Sequence, residues 1–209
     1  MQLVVLSDDI LKEELLSNGE TGDAEIVWLA TPGKFSEYEN ADVYCDLLFD
    51  GSANHIEDLK KISRPIIINS VDKTLAELQL PFIRINAWPG FLKGQVIEAS
   101  FHDESQKQWA ESFSSTFKKK IEWLPDELGF VSARVVAMII NEAYFALGEG
   151  VSSKSEIDIA MKLGTNYPYG PFEWCEKIGI KKIYSLLTDL SKINTRYKPA
   201  TVLEKEAIS

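Results

Sequence analysis

This chain has two cysteines, two histidines and fewer basic than acidic residues, and these shortages exclude some classes of protein. Its 209 residues include two cysteines, Cys45 and Cys175, which lie far apart in the sequence. Two distant cysteines do not make a disulfide framework and suit a reducing compartment, so we expect a cytoplasmic protein. The net charge of −10 makes nucleic acid and anionic membrane surfaces poor partners, because both are polyanions.

Long apolar runs are also missing. No stretch approaches the roughly 20 apolar residues that a membrane-spanning helix needs. The apolar start, 1–6, is too short for a signal peptide and has no basic residues before it. The one run of basic residues, 118–120, is interpreted as a solvated helix end. With 45% hydrophobic residues the chain can still build a substantial core.

The first part of the chain alternates short apolar runs with helix-compatible segments. Strands are predicted over 3–6, 24–30, 43–49, 65–69, 82–87, 95–100 and 121–124. Helices are predicted over 8–17, 56–62 and 104–119, the first with Ser7 or Asp8 as its N-cap. Strands alternating with helices are typical of βαβ units, so we predict an α/β fold with a mostly parallel sheet.

The second part reads as helix throughout. Helices are predicted over 131–147, 155–163, 172–178 and 181–193. Ser153 and Glu156 have the spacing of a capping box at the second of these. We expect the tail after Tyr197 to be frayed. The change of pattern predicts two domains, an α/β domain over 1–126 and an all-α domain over 127–209.

Four linked segments of the second part carry a family resemblance. They are Gly129-Phe130-Val131-Ser132-Ala133-Arg134, Asn141-Glu142-Ala143, the helix segment 157–164, and the turn Pro168-Tyr169-Gly170-Pro171-Phe172. In this order they resemble the C-terminal helical domain of the 3-hydroxyacyl-CoA dehydrogenase family. The resemblance implies a Rossmann-like sheet domain before it, here truncated because the family's larger sheet would not fit before Ala41. It also implies a homodimer formed through the C-terminal helices and an acyl-CoA-like ligand.

The resemblance allows the family's catalytic pair to be sought at defined positions. The family uses a histidine as general base and a glutamate twelve residues later that orients it. In this chain Asn86 stands at the histidine position and Glu98 at the glutamate position. An amide cannot accept a proton near neutral pH and only forms hydrogen bonds. The resemblance therefore implies that the spacing is kept while the base is lost.

Two further active-site positions of the family also differ. The family's substrate-holding serine falls on Val71 in an ungapped match, and a shift of one residue places Ser70 there instead. Ser70 is therefore kept as a candidate site residue with Asn86 and Glu98. The family's asparagine before the conserved arginine is replaced by Ala133, with Arg134 fixing the register.

The cofactor loop of the family is not recognisable. The family binds the pyrophosphate of NAD at a Gly-x-Gly-x-x-Gly turn after the first strand. Here the first strand is followed by Ser7-Asp8-Asp9, and Gly19 and Gly22 lie beyond the predicted helix. Carboxylates at a helix start satisfy its N–H groups and repel a pyrophosphate. We therefore expect no bound NAD and find no pattern of metal ligands.

These observations favour a degenerate family member without hydride-transfer chemistry. Such a protein would bind an acyl-CoA-like ligand, assist a partner enzyme or serve only as a stable interaction module. One alternative is a working NAD-dependent dehydrogenase that uses His102 or Asp72 in place of the missing base. Another is a different enzyme in which buried Glu98 is the base. A structural role for Glu98, paired with Asn86 or Arg84, competes with the latter. The second histidine, His55, is interpreted as a surface or capping residue.

Overall fold

The computed structural model of the protein describes residues 1–20 and 22–209. It contains two compact units, Met1–Phe130 and Val131–Ser209. The first unit holds a mostly parallel sheet with its helices and the second is built from helices alone, which confirms the predicted fold class. Within the described residues, no helix is both long enough and apolar enough to cross a bilayer.

The described residues include seven strands: β1 (Gln2–Leu6), β2 (Glu25–Leu29), β3 (Val43–Asp46), β4 (Ile66–Asn69), β5 (Ile83–Ile85), β6 (Val96–Phe101) and β7 (Lys120–Trp123). They form a single sheet in the order β2-β1-β3-β4-β5-β6-β7. The pairs β1–β2, β1–β3, β3–β4, β4–β5 and β6–β7 are parallel, and β5 with β6 is antiparallel.

Helices cover both faces of this sheet. They are α1 (Asp9–Leu15), α2 (Ala53–Leu59), α3 (Leu75–Leu78) and α4 (Lys107–Thr116). Along β1, Leu3 and Val5 join a core cluster with residues of α1 and α4, while Val4 and Leu6 join a second cluster with residues of α2 and α3. A strand buried on both faces is apolar throughout, and this explains the continuous apolar run at the start of the chain.

The basic run after α4 differs from the prediction. Lys118 and Lys120 are exposed, but Lys119 is buried and its Nζ donates to the carbonyl of Gly94 at 2.9 Å. Burial lowers the pKa of the Lys119 amine. Lys118 and Lys120 therefore point their charges to the solvent, while Lys119 between them is hydrogen-bonded inside the protein. The interpretation of the run as a solvated helix end was wrong for Lys119.

The helical unit extends further than predicted. Its helices are α5 (Ser132–Gly148), α6 (Lys154–Thr165), α7 (Pro171–Ile178), α8 (Ile180–Ile193) and α9 (Thr201–Ile208). The tail was expected to fray, yet α9 buries Leu203 and Ala207, which lie one helical turn apart. The buried side-chain amide of Asn141 also fixes the segment before α9. It donates a hydrogen bond to the Lys198 carbonyl and accepts one from the Ala200 N–H.

The turn between α6 and α7 depends on a buried carboxylate. Asp158 of α6 accepts a hydrogen bond from the Phe172 N–H at 2.8 Å, and Glu173 accepts one from the Gly170 N–H at 2.8 Å. Together the two carboxylates satisfy free N–H groups at the start of α7. A Cβ on Gly170 would stand only 2.2–2.4 Å from Asp158, so this position has no room for a side chain. Pro171 suits the first helical position that follows.

Gly170→Ala is expected to destabilise the helical unit by about 1–3 kcal/mol, because overpacking forces Asp158 away from its hydrogen bond. Equilibrium denaturant unfolding of the purified protein measures this change.

Gly164→Ala is the matched control for that substitution. A Cβ on Gly164 in α6 meets no atom within 4 Å. Alanine in a helix is favoured over glycine by up to about 1 kcal/mol, so the control should be neutral or stabilised. Equal stability of the two variants would show that the Asp158 contact does not restrict the turn.

Candidate functional site

The predicted catalytic pair meets across the antiparallel strands. In the register of β5 and β6, Ile85 lies opposite Ala99, so the next residues, Asn86 and Glu98, come face to face. The Asn86 N–H donates to the Glu98 carbonyl at 3.0 Å, and Asn86 Nδ2 donates to Glu98 Oε2 at 3.0 Å. The twelve-residue spacing seen in the sequence is thus the consequence of a strand register.

The Asn86 side chain is fixed at both ends. It is buried, its amide nitrogen donates to Glu98, and its Oδ1 accepts from the Trp88 N–H at 3.4 Å. Glu98 is partly buried beside it. A neutral amide here donates a hydrogen bond to the carboxylate but has no basic lone pair that takes a proton. The pair can orient a polar group, and the asparagine cannot act as a general base.

The third predicted site residue lies in a turn after β4. Ser70 is buried and its Oγ donates to the Lys73 carbonyl at 2.8 Å. Its own carbonyl accepts from Arg84 Nη1 at 3.0 Å. Val71, at the alternative position, is also buried. The Ser70 hydroxyl thus closes its own turn, and the assignment of Asn86, Glu98 and Ser70 as site residues stays a prediction.

Asn69 is a site-building residue that the sequence reading did not single out. Its Nδ2 donates to the carbonyls of Leu47 and Ala87, at 3.1 and 3.2 Å. Its Oδ1 accepts from the Ala87 N–H at 3.0 Å. The single amide therefore ties the ends of β3 and β4 to the residue after Asn86. The signal that would have indicated this role is an asparagine at the carboxyl end of a predicted parallel strand.

A buried glutamate holds the loop that follows Asn86. Glu14 of α1 is 2% exposed, and both its oxygens lie 2.8 Å from the Gly90 nitrogen. Gly90 has φ +99°, a conformation that favours glycine. The carboxylate thus anchors the loop from Trp88 to Gly90, a role that α1's sequence pattern does not reveal.

Arg84 is a fully buried charge on β5. Its Nε donates to Asp126 Oδ1 at 2.5 Å, and its guanidinium stacks over the Phe130 ring at 4.1 Å. Asp126 also accepts from the N–H groups of Leu75 and Ala76 at the start of α3. The ion pair therefore joins β5, α3 and the segment after β7 within the sheet unit.

The start of α1 does not fit a pyrophosphate. Asp8 Oδ1 accepts from the Leu11 N–H at 2.8 Å, so the helix caps itself with its own carboxylate. Asp9 adds a second exposed carboxylate in the first turn. The N–H groups and positive dipole that hold an anionic phosphate in a dinucleotide site are thus opposed by two negative charges.

The two histidines lie in different surroundings, and the sequence interpretation of one of them, His55, was wrong. His55 was expected at the surface or as a cap, but it is buried and its Nε2 lies 2.6 Å from Asp46 Oδ2. The expectation was wrong because a partner on β3 compensates the burial of the imidazole. His102 is exposed and lines a surface groove of about 530 Å³ with α3 residues and Asp126.

A second groove lies in the helical unit. It has a volume of about 430 Å³, and its lining includes Tyr144, Lys154, Cys175 and Glu206. Tyr144 Oη donates to Glu206 Oε2 at 2.9 Å, and Lys154 Nζ pairs with Glu206 at 2.7 Å. These contacts fasten α9 to α5 and α6. Within the ranges 1–20 and 22–209, no three His, Cys, Asp or Glu side chains are grouped so as to hold a metal ion.

The fold and the site define the class of protein. It has a Rossmann-type sheet unit of the kind found in dehydrogenases, followed by a helical unit. The family model described as the 3-hydroxyacyl-CoA dehydrogenase C-terminal domain matches residues 129–207. A curated relative, 3-hydroxyadipyl-CoA dehydrogenase of Escherichia coli, is 32% identical over 157 residues, covering 73% of this chain and 33% of the relative. The chain belongs to the 3-hydroxyacyl-CoA dehydrogenase family.

Solved structures agree with this assignment. The 3-hydroxybutyryl-CoA dehydrogenase of Escherichia coli superposes with a TM-score of 0.61 at 32% identity, covering 70% of this chain and 32% of that one. The (S)-3-hydroxybutyryl-CoA dehydrogenase of Ralstonia eutropha gives 0.75 at 17% identity, covering 98% and 92%, a likeness of fold alone. The match spans about a third of the length of the curated relatives.

Arg84→Met is expected to lower the free energy of unfolding by about 3 kcal/mol or more, because it leaves Asp126 and the carbonyls of Ser70 and Glu127 without their buried partner. Urea unfolding followed by tryptophan fluorescence measures the change.

The control is Arg64→Met, since Arg64 is exposed on the same unit. A surface substitution of this kind is expected to stay within about 0.5 kcal/mol of the parent. If Arg84→Met were as stable as Arg64→Met, the buried pair would not be a stabilising tie.

Proposed function

We propose that this protein is a cytoplasmic 3-hydroxyacyl-CoA dehydrogenase-like module that has lost NAD binding and hydride transfer. In this proposal it acts as a dimer that binds an acyl-CoA-like ligand or assists a partner. The family membership supports the ligand class, since the relatives are named as dehydrogenases of 3-hydroxyadipyl-CoA and 3-hydroxybutyryl-CoA.

The observation that carries the proposal is the hydrogen bond from Asn86 Nδ2 to Glu98 Oε2 at 3.0 Å. In the family's chemistry a base at this position takes the proton from the hydroxyl oxygen while hydride leaves the carbon that bears that hydroxyl for NAD, and a carboxylate supports the base. With an amide in that position, the carboxylate receives a neutral donor and the proton has no acceptor. Loss of this one group removes the acid–base half of the reaction.

The cofactor half of the proposal rests on α1. The self-capped helix start, with Asp8 bonded to the Leu11 N–H and Asp9 beside it, disfavours a pyrophosphate for an electrostatic reason. The two differences concern separate chemistry, proton acceptance at Asn86 and phosphate binding at the start of α1. Their coincidence is what favours a non-catalytic role over a dehydrogenase with one altered residue.

The purified protein is expected to form no NADH from NAD and 3-hydroxybutyryl-CoA, because it lacks the base. Absorbance at 340 nm measures the product, with an active family member as the positive control.

Steady NADH formation would instead support the alternative, an active dehydrogenase with rearranged residues. In that event His102→Gln and Asp72→Asn, compared with Asn86→Ala, identify the group that takes the proton. Loss of activity in one of the first two variants would assign it.

Dimer formation is proposed from exposed apolar side chains on the helical unit. Val135 and Phe145 on α5 are 49% and 39% exposed, and Ile159 and Leu163 on α6 are 53% and 83% exposed. Apolar side chains gathered on one unit are typical of a surface that a partner covers. We propose that a second copy of the chain covers this apolar surface.

The protein is expected to elute as a dimer in size-exclusion chromatography with light scattering, and Phe145→Lys with Leu163→Lys should shift it toward monomer by placing charge in the apolar contact. Ile10→Lys is the control, since Ile10 is 58% exposed on the sheet unit. A monomer at every concentration tested would contradict the dimer.

A further inference from the structure

His55 lies between two carboxylates at the carboxyl edge of the sheet. β3 ends at Asp46, whose side chain is fully buried, and the segment 47–52 leads into α2. His55 Nε2 lies 2.6 Å from Asp46 Oδ2, and Nδ1 lies 3.1 Å from Asp50 Oδ1. The Asp50 side chain is 62% exposed, so the ring connects a buried carboxylate to one at the surface.

The chemistry of the two contacts requires a charged ring. An ionised carboxylate only accepts hydrogen bonds, so each ring nitrogen must carry a hydrogen to bond its partner. Neutral imidazole has one N–H and satisfies only one of the two carboxylates. The two contacts therefore place the ring at ion-pair distance from a carboxylate on each side, an arrangement that suits an imidazolium.

The charged groups around the ring also favour its protonated form. The hydrogen bond with Asp46 raises the pKa of His55, and burial of the ring opposes this rise. Burial raises the pKa of Asp46, which the bond with His55 counteracts. We take the charged pair as the state near neutral pH because a second carboxylate, Asp50, also faces the ring.

Other charged groups near this cluster are few among the described residues. Asp58 lies on the same helix as His55 and pairs with Lys61 at 2.7 Å. Lys73 Nζ approaches the segment 47–52 at Gly51, 3.4 Å from the position of an added Cβ. Neither is a hydrogen-bond partner of the ring, so Asp46 and Asp50 determine its protonation.

We propose that Asp46, His55 and Asp50 form a protonation-controlled clamp on the segment 47–52. With the imidazolium present, Asp50 is bonded to His55 and the segment is held against α2. When the ring loses its proton it keeps the Asp46 contact through Nε2–H, and its bare Nδ1 then faces the Asp50 carboxylate lone pairs. Asp50 is released, and the segment loosens.

The clamp lies at the edge of the sheet where the strand order reverses. The sheet order β2-β1-β3 reverses direction between β1 and β3, and the segment 47–52 follows β3 at that point. In open α/β sheets ligands bind outside the carboxyl ends of the strands where the order reverses. A clamp on this segment therefore makes access to that edge depend on pH.

Hydrogen exchange of the full chain tests the clamp. A raised folded-state pKa stabilises the fold fully below the ordinary histidine value, about 6.5, and this stabilisation is lost as pH rises through the folded value. Protection factors of residues 47–52, which correct for the intrinsic pH dependence of exchange, should fall between pH 6 and pH 9. Nitrogen-15 shifts of the His55 ring should report an imidazolium at pH 6, with exposed His102 as the internal reference.

Asp50→Asn separates the clamp from ordinary loop behaviour. An asparagine amide accepts from the imidazolium and donates to the neutral ring, so this variant should lose the pH dependence of protection while keeping the fold. Asp58→Asn is the matched control and should keep the parent's pH dependence. A neutral His55 at pH 6, or an Asp50→Asn variant that retains the parent's pH dependence, would overturn the proposal.

Discussion

The antiparallel pairing of β5 with β6 is the constraint on which the chemistry of the sheet unit depends. It places Arg84 opposite Ser100 and, two residues further along the strand, Asn86 opposite Glu98. Both pairs therefore lie on one face of the sheet, because side chains two residues apart point the same way. Arg84 on this face forms a structural ion pair, and Asn86 stands where the resemblance places the family's catalytic base.

The surrounding polar residues act as supports for that face. Asn69 ties β3 and β4 to Ala87, and Glu14 holds Gly90. Each is a partly or fully buried polar group whose hydrogen bonds are satisfied by backbone atoms, which makes such a group stabilising rather than costly. Hydrogen bonds of this kind hold the segments around Asn86 and Glu98 in place.

Much of this architecture could be predicted from the sequence. The apolar runs located all seven strands, and the family motifs located the helical unit, because both signals are local and periodic. The resemblance also located Asn86 and Glu98, whose separation in sequence reflects a strand register. The short helix α3 was missed because four residues show no helical period.

The misjudged residues share a physical cause. His55 and Lys119 were expected at the surface because their type is polar, but each finds its acceptor on an element distant in sequence, Asp46 for one and Gly94 for the other. The roles of Arg84 and Glu14 were equally hidden. A single sequence shows which side chains are polar and does not show which partners tertiary structure brings to them.

Ligand binding distinguishes the proposed role from that of an active dehydrogenase, because we propose that acyl-CoA recognition is kept while NAD binding is lost. Isothermal titration calorimetry of one preparation with NAD, NADH, CoA and 3-hydroxybutyryl-CoA measures both properties. We predict heat of binding for the acyl-CoA and none for NAD or NADH. Saturable binding of NAD with no binding of the acyl-CoA would contradict the proposed function.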